Sequence, residues 1–568
     1  IAGTVDVEEV VAQVSQHPDV AFSIDYKYMC SDPGQKLIKE SIDKHKLDGV
    51  VVAACSPTMH ETTFRRAVSS VGLNPYRCES ANIREQVSWV HQDDKEAATL
   101  KAIEITRSIV EKVSGNSELV PLSLKLKRKT VVIGGGIAGM QDALDIADAG
   151  FPVTLVEREP RLGGRMAQLS GTYLNFAAAP DLLQEFVERV QNHPQITTYT
   201  NSEIIELQGY MGNFELKLGT KTEEESLLDS TSSTRSQGST SEISIECGAI
   251  IVATGWDPYD QALLPDYGSG NIPDVIDGLT FESMLASGGE IRRPSDGKIP
   301  REIVFVQCAG SRDPERGVSY CSKVCCMYVA KHAMLYKERV PDGQAYVFYI
   351  DIRSAGKGYD EYVQSAMTDF QVLYLRGKVS KVFQEGDKVI VWGVDTLSER
   401  ALEVAADLVV LATPMSSSHG AVELGQRIHI SSDEHGFFNE AHIKLRPVET
   451  LTAGIYLAGA AQGPKDIPET VAQASAAAGK VLQLFSNEEL EQSPLVATVI
   501  PELCAACGAC VAVCPYEARE IHPIWNIATV NVNLCQNCGA CVVACPNKAC
   551  HVHNWRPDQI LAMLDEVL

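Results

Sequence analysis

Short unbroken apolar runs, separated by polar breaks and helix-periodic stretches, dominate the pattern along this chain. They occur at residues 131–133, in a run ending at Glu157, at 302–307, at 407–414 (DLVVLATP) and again ahead of Gly459. Runs of this length bounded by turn residues predict strands buried in a parallel sheet. VVVAAC at 50–55 reads as another buried strand, whereas ATLKAIEITRSIVEKV at 98–113 carries the period of an amphipathic helix. Strands alternating with helices predict an α/β fold. No apolar run reaches the roughly 18 residues that would predict a membrane span.

Composition narrows the function classes. A formal net charge of −25, with Lys and Arg scattered, argues against a nucleic-acid partner. The start IAGTVDVEEV has neither the basic nor the apolar region of a signal peptide, so a cytoplasmic location is expected. It also lacks a methionine, which implies that the true N-terminus precedes Ile1.

The chemistry begins at KTVVIGGGIAGMQDALDIADAGFPVTLVER. A strand runs into Gly134-x-Gly136-x-x-Gly139, a helix follows, and a second strand ends in Glu157, 18 residues after Gly139. Gly134 makes the turn, Gly136 admits a pyrophosphate, Gly139 lets helix pack on strand, and Glu157 suits an adenosine ribose. Further on stand Leu162-Gly163-Gly164-Arg165, then Ala253-Thr254-Gly255, then GIYLAGAAQGPKDIPETVAQASAAAG. These stations resemble two-dinucleotide-binding flavoproteins of the thioredoxin reductase type. The resemblance implies FAD, held by Gly134, Gly136, Gly139, Glu157, Arg158, Gly164, Arg165, Ala253, Thr254, Gly255, Gly459, Ile467 and Thr470. Ala460 replaces an acid that many such proteins carry after that last glycine. The place where a nicotinamide site would need a second glycine fingerprint holds Cys308-Ala309-Gly310-Ser311-Arg312 instead.

Twelve of the 17 cysteines fall into three tight groups; Cys30, Cys55, Cys78, Cys247 and Cys550 lie outside them. Without a secretion signal, metal ligation explains such density better than disulfides. CAACGACVAVCP and CQNCGACVVACP repeat the C-x2-C-x2-C-x3-C-P run of two-cluster ferredoxins, where the fourth cysteine of each run serves the other cluster. One [4Fe-4S] cluster is thus expected on Cys504, Cys507, Cys510 and Cys545, and a second on Cys535, Cys538, Cys541 and Cys514. Pro515 and Pro546 end the short helix after each triplet. A zinc ribbon would use two cysteine pairs rather than a triplet plus one. Cys550 reads as a small buried residue. Cys308, Cys321, Cys325 and Cys326 form the third group, C-x12-C-x3-CC.

That spacing, the AGAAQGPKDIPETVAQASAAA segment, the two-cluster tail, and YMCSDPGQ, VVAACSPTMHE and NPYRCESANIREQVSWVH together resemble HdrA, the flavin and iron–sulfur subunit of heterodisulfide reductase in methanogens and other anaerobes. The resemblance covers nearly the whole chain. It implies a third [4Fe-4S] cluster on Cys308, Cys321, Cys325 and Cys326, and it places Lys331 near the flavin N5; read alone, Lys331 would be a solvated helix lysine. It further implies an electron-transfer, electron-bifurcating oxidoreductase subunit. Electrons would come from a hydrogenase- or dehydrogenase-linked donor and pass to ferredoxin and to a disulfide-reducing subunit, within a dimer of the complex. A non-bifurcating wiring subunit of a quinone-interacting reductase complex is the alternative.

Three departures from the family bear on that choice. After GYMGNF (209–214), where many members insert a second ferredoxin domain, the chain runs into SLLDSTSSTRSQGSTSE, which reads as a flexible loop. TYLNFAAAPD at 172–181 has alanines where relatives are cysteine-rich, and Val87 replaces a common cysteine. Cys30, Cys55 and Cys78 are candidates for a fourth cluster, with buried inert thiols as the alternative. His45, His60, His91 and Trp89 read as packing or capping residues, and no nucleophile–base arrangement for hydrolysis is visible.

The expected organisation is an α/β module (1–120), an FAD domain in two parts (128–290 and 415–485) around a cluster-bearing domain (291–414), and an α+β ferredoxin domain (495–568).

Overall fold

The computed structural model describes residues 1–220 and 241–568; the SLLDSTSSTRSQGSTSE segment up to residue 240 lies outside them. The chain forms two compact units, Lys125–Glu488 and the combination of Ile1–Leu124 with Glu489–Leu568.

The larger unit repeats one plan twice. Its first parallel sheet has the order Ile455–Leu457, Ala249–Val252, Thr130–Ile133, Val153–Val156, Ile196–Tyr199. The apolar runs sit here because both faces are covered, which is why they do not alternate with polar residues. On one face pack the helices Ile137–Asp148, Ala179–Asn192 and Ile467–Phe485, around Met140, Leu144, Leu155 and Phe485. Ala474, Ala477 and Ala478 are buried there, so the AQASAAAG stretch supplies a small-residue seam between helices. The other face is covered by the antiparallel strands Ser202–Tyr210, Asn213–Thr220 and Ser241–Cys247, through Phe214, Leu216 and Ile245.

The second sheet runs Val275–Asp277, Leu408–Leu411, Glu302–Val306, Gln344–Tyr349, Leu373–Arg376, again all parallel, with its own antiparallel meander of Val379–Glu385, Lys388–Asp395 and Arg400–Ala406. The helix Cys325–Arg339 is buried against it through Met327, Val329, Ala330 and Ala333. A short antiparallel pair, Trp256–Pro258 with Met415–Ser417, carries the chain between the two halves. Two parallel sheets of this design, joined by a double crossover, are the two-dinucleotide-binding arrangement.

In the smaller unit, among the described residues, Val50–Ala54 pairs only with Cys78–Asn82. The sheet stops at two strands, so only Val52 of the VVVAA run is fully buried. The amphipathic helix spans Lys95–Ser114, and the last helix, Pro557–Asp565, packs on it. Lys112 anchors this contact. Its Nζ is 2.7 Å from Glu79 Oε1 and 4.1 Å from the Trp555 ring centroid. Asn116 Nδ2 also donates to Glu79, and Gln559 Nε2 donates to Asn116 Oδ1 at 2.9 Å. Among the described residues no helix is long and apolar enough to cross a membrane.

Lys112→Met would leave the Glu79 carboxylate buried without its counter-charge, at a cost of about 3 kcal/mol. Calorimetry of the whole chain should show the transition of this unit moving to lower temperature, and adding Glu79→Gln should recover part of the loss.

Candidate functional site

The strand Thr130–Ile133 ends at Gly134, which has φ +113°. A Cβ on Gly134 would lie 2.3 Å from the Ala253 carbonyl oxygen, and one on Gly139 would lie 1.9 Å from that of Gly134. Neither position tolerates a side chain. Gly136 is different, since nothing lies within 4 Å of where its Cβ would be. Its open side borders a cavity of about 1590 Å³, as does the start of the helix Ile137–Asp148. A helix N-terminus with bare backbone beside it is a phosphate cradle.

Glu157 is buried at the end of its strand and accepts from Gly135 N at 2.6 Å and Glu159 N at 2.8 Å. Gly164 (φ +52°) lies over Gly136, its Cβ position 3.1 Å from Gly136 Cα. Arg165 pairs with Asp257, and Arg158 Nη1 donates to the His419 carbonyl at 2.9 Å. Ala253, Thr254 and Gly255 border the cavity, and the Thr254 hydroxyl is buried with no protein partner. Beside Ala138, Gly459 (φ +65°) leaves no room for a side chain, because Ala138 Cβ and Thr470 Cγ2 are 2.9 and 3.0 Å from its Cβ position. Ile467 and Thr470 line the cavity at the start of a second helix. Asp466 caps that helix, accepting from Glu469 N at 2.8 Å and from the hydroxyls of Tyr173 (2.6 Å) and Tyr359 (2.8 Å). A cavity of this volume, bordered by bare backbone at Gly136, by the starts of two neighbouring helices and by the unpartnered Thr254 hydroxyl, fits FAD.

Lys331 borders the same cavity but is only 3% exposed, so the reading of a solvated helix lysine does not hold. Its Nζ donates to the Gly171 carbonyl at 2.7 Å and pairs with Glu282. Glu282 also accepts from Ser170 N (3.1 Å) and Oγ (2.5 Å), and His332 Nε2 is 3.2 Å away. Burial alone would raise the Glu282 pKa; His332 and Lys331 outweigh it and hold the carboxylate well below its usual range. Burial pushes the Lys331 ammonium down, with Glu282 opposing. Glu282 and Ser170 escape a reading of the sequence, since they lie 49 and 161 residues from Lys331 and belong to no motif.

The helix that carries Lys331 begins with Cys325 and Cys326. Cys308 follows the strand Glu302–Val306 in a left-handed conformation, φ +56°. The four thiols, with Cys321, are close enough to feel one another's charge. Burial pushes Cys326 up to about 11 and Cys325 higher still, so neither ionises readily by itself. Bound iron would ionise them outright. A helix N-terminus and the nearby Arg312 guanidinium favour the resulting anions.

In the C-terminal region two small cavities are each lined by four cysteines of the ferredoxin runs. One has Cys504, Cys507, Cys510 and Cys545, together with Cys550; the other has Cys514, Cys535, Cys538 and Cys541. Backbone N–H groups of Ala518, Ala528 and Ala549 donate to Cys514, Cys504 and Cys545 at 3.3 Å, and Ala497 N donates to Cys535 at 3.4 Å. Such donors are what thiolate-bound clusters use.

The N-terminal cysteines are dispersed by environment. Cys30 is exposed, Cys55 is half-buried, and Cys78 packs among Ile38, Ile42, Val52 and Phe64. Val87 is buried in a separate apolar cluster.

Comparison with known proteins agrees with this chemistry. Residues 128–295 match the pyridine nucleotide-disulphide oxidoreductase family, and residues 497–546 match the 4Fe-4S dicluster domain. The thioredoxin reductase of T. acidophilum gives a TM-score of 0.42 at 16% identity, over 64% of this chain and 100% of that one. The matched families and the sites together define an oxidoreductase subunit that binds FAD and iron–sulfur clusters. A CoB–CoM heterodisulfide reductase of Methanopyrus kandleri has an A-type iron–sulfur subunit that is 40% identical over 92% of this chain and 89% of its own length. The A-type subunit of the H2:CoB-CoM heterodisulfide, ferredoxin reductase of Methanothermobacter thermautotrophicus is 39% identical over 92% and 89%. The chain belongs to the HdrA family of heterodisulfide reductase subunits.

Gly139→Ala should reduce flavin per chain at least tenfold, measured as flavin released on denaturation, because the added carbon meets a backbone oxygen. Burial pushes the Cys78 thiol up to about 12. Far below that pKa the thiol stays protonated, so iodoacetamide at about pH 8 should label Cys78 only after unfolding; peptide mapping by mass spectrometry checks this.

Proposed function

We propose that this chain is the junction of a multisubunit heterodisulfide reductase, where electron pairs are divided into single electrons and distributed. FAD supplies the exchange between two-electron and one-electron chemistry, and [4Fe-4S] clusters carry electrons singly. The observation that carries the reading is the helix Cys325–Arg339, which presents two thiols at its start and Lys331 at the edge of the flavin cavity.

On this reading residues 128–290 and 415–485 hold FAD, 291–414 hold a [4Fe-4S] cluster on Cys308, Cys321, Cys325 and Cys326, and 495–568 hold two more. Gly136, Gly164 and Thr254 cradle the phosphates on a loop shaped by the Gly134 turn and the close helix packing at Gly139, Glu157 meets the ribose, and Gly459, Ile467 and Thr470 the ring end, with Arg158 and Arg165 fixing the adjoining loops. Lys331 directs its remaining N–H towards the flavin. Because Glu282 already balances its charge, Lys331 acts there chiefly as a hydrogen-bond donor. Cys30 and Cys55 would contribute to a fourth cluster only with ligands from outside this pair, as Cys78 is committed to packing.

The donor is a hydrogenase- or dehydrogenase-linked subunit, and the acceptors are ferredoxin and a disulfide-reducing subunit. A link to ferredoxin rather than a quinone is supported by the names of relatives: the Methanothermobacter protein is named for heterodisulfide and ferredoxin together, and a Methanosarcina relative is named as ferredoxin-dependent. Reconstitution of the complex decides between them. Ferredoxin reduction that requires the heterodisulfide supports bifurcation, and disulfide reduction without it supports simple wiring.

Cys325→Ala should remove about four irons per chain while flavin is retained; unchanged iron in the purified protein would sink the central-cluster assignment. Lys331→Met leaves the Glu282 charge facing the cavity and should lower the flavin midpoint potential in a spectroelectrochemical titration.

A further inference from the structure

The two ferredoxin runs are related by an internal repeat, and the donors to their sulfurs repeat with it. Ala518 and Ala549 follow their fourth cysteines by four residues and make the same 3.3 Å bond back to them. One position further on the repeat breaks, with Arg519 in the first half and Cys550 in the second.

Arg519 opens the strand Arg519–Ile521 and is 5% exposed. Its Nη2 is 2.9 Å from Cys541 Sγ, and its side chain lines the cavity of Cys514, Cys535, Cys538 and Cys541. Its Nη1 is buried and has no protein partner. A guanidinium with one nitrogen on a ligand sulfur and the other buried without a partner has a donor left for a cluster sulfide. Cys550, 3% exposed, opens the matching strand Cys550–Val552 and lines the other cavity. There it stands beside Cys510 and Cys545 and offers at most one weak S–H donor, with no positive charge.

We propose that Arg519 sets the two ferredoxin clusters apart in potential, making the cluster on Cys514, Cys535, Cys538 and Cys541 the more readily reduced. The inference rests on the two-cluster assignment above. Reduction adds one negative charge to a cluster, and the guanidinium keeps its positive charge throughout the accessible pH range. Attraction falls with distance, and burial weakens it less than water would. Arg519 also senses Cys510 of the other set, so it raises both potentials, but more for the set it touches. The first electron to enter the module therefore rests on the cluster beside Arg519, and the cluster beside Cys550 fills second. The module becomes a relay with a built-in order.

EPR-monitored potentiometric titration of the full chain tests this. Arg519→Gln keeps an N–H donor but removes the charge. It should lower one cluster midpoint by at least a tenfold change in the reduced-to-oxidised ratio, about 59 mV for one electron, and move the others less. Arg519→Lys should restore at least half of that shift. Equal loss in Gln and Lys variants, or no movement in the Gln variant with iron content intact, overturns the proposal. If Arg519→Gln does not load iron, the unaltered chain still decides, because coincident midpoints for its two C-terminal clusters overturn the proposal. Failure of the underlying assignment looks different: Cys541→Ser would then leave the iron content and cluster spectrum unchanged.

Discussion

The helix Cys325–Arg339 is the constraint on which the larger unit's chemistry depends. An α-helix advances about 1.5 Å per residue, so the six residues from Cys325 to Lys331 amount to roughly 9 Å along a rigid rod. Thiols and lysine thereby keep a fixed separation whatever the surrounding loops do. The rod is held by Met327, Val329, Ala330 and Ala333 in the core, and by the buried pairing of Lys331 with Glu282. Burying a lysine is unfavourable unless a carboxylate meets it; Glu282 meets it, while Ser170 and His332 hold Glu282 in place.

The same plan appears twice in this unit, but its two halves hold different things. Where the first sheet is followed by Gly134 and an open backbone at Gly136, the second is followed by Cys308 in a left-handed turn. A position that suits glycine in a phosphate loop is here occupied by a ligand-type residue. The fold thus keeps the rigidity of a dinucleotide domain while exchanging a nucleotide cradle for a set of thiols.

Much of this was legible in the sequence because it rests on local rules. The glycine fingerprint, the doubled ferredoxin run and the buried strands are short-range patterns whose physics is complete within about 30 residues. The pairing of Glu282 with Lys331 is not of that kind, since it is made when two helices from distant parts of the chain meet. Lys331 itself showed the limit of local reading: a lone lysine on a helix looks solvated until the packing around it is known. VVVAAC failed in the opposite sense, since a run that reads as fully covered forms one strand of a pair and is largely half-buried. Arg519 and Cys550 stand at matching places of the repeat, but the contact of Arg519 with the Cys541 sulfur, which gives the contrast its meaning, is visible only in the fold.

The way the two units share the chain carries a consequence for biogenesis. The larger unit is inserted whole between Leu124 and Glu489, and its own first sheet is completed by a strand at Ile455–Leu457. On the ribosome, domains generally fold as they emerge. Here the first 124 residues wait for the last 80, and the nucleotide sheet waits for residue 457. Flavin binding to the finished sheet therefore follows synthesis of residue 457, and the inner unit can close before the outer one has its second half. A chain interrupted after Glu488 would carry a complete inner unit and an outer one still lacking the segment that closes it.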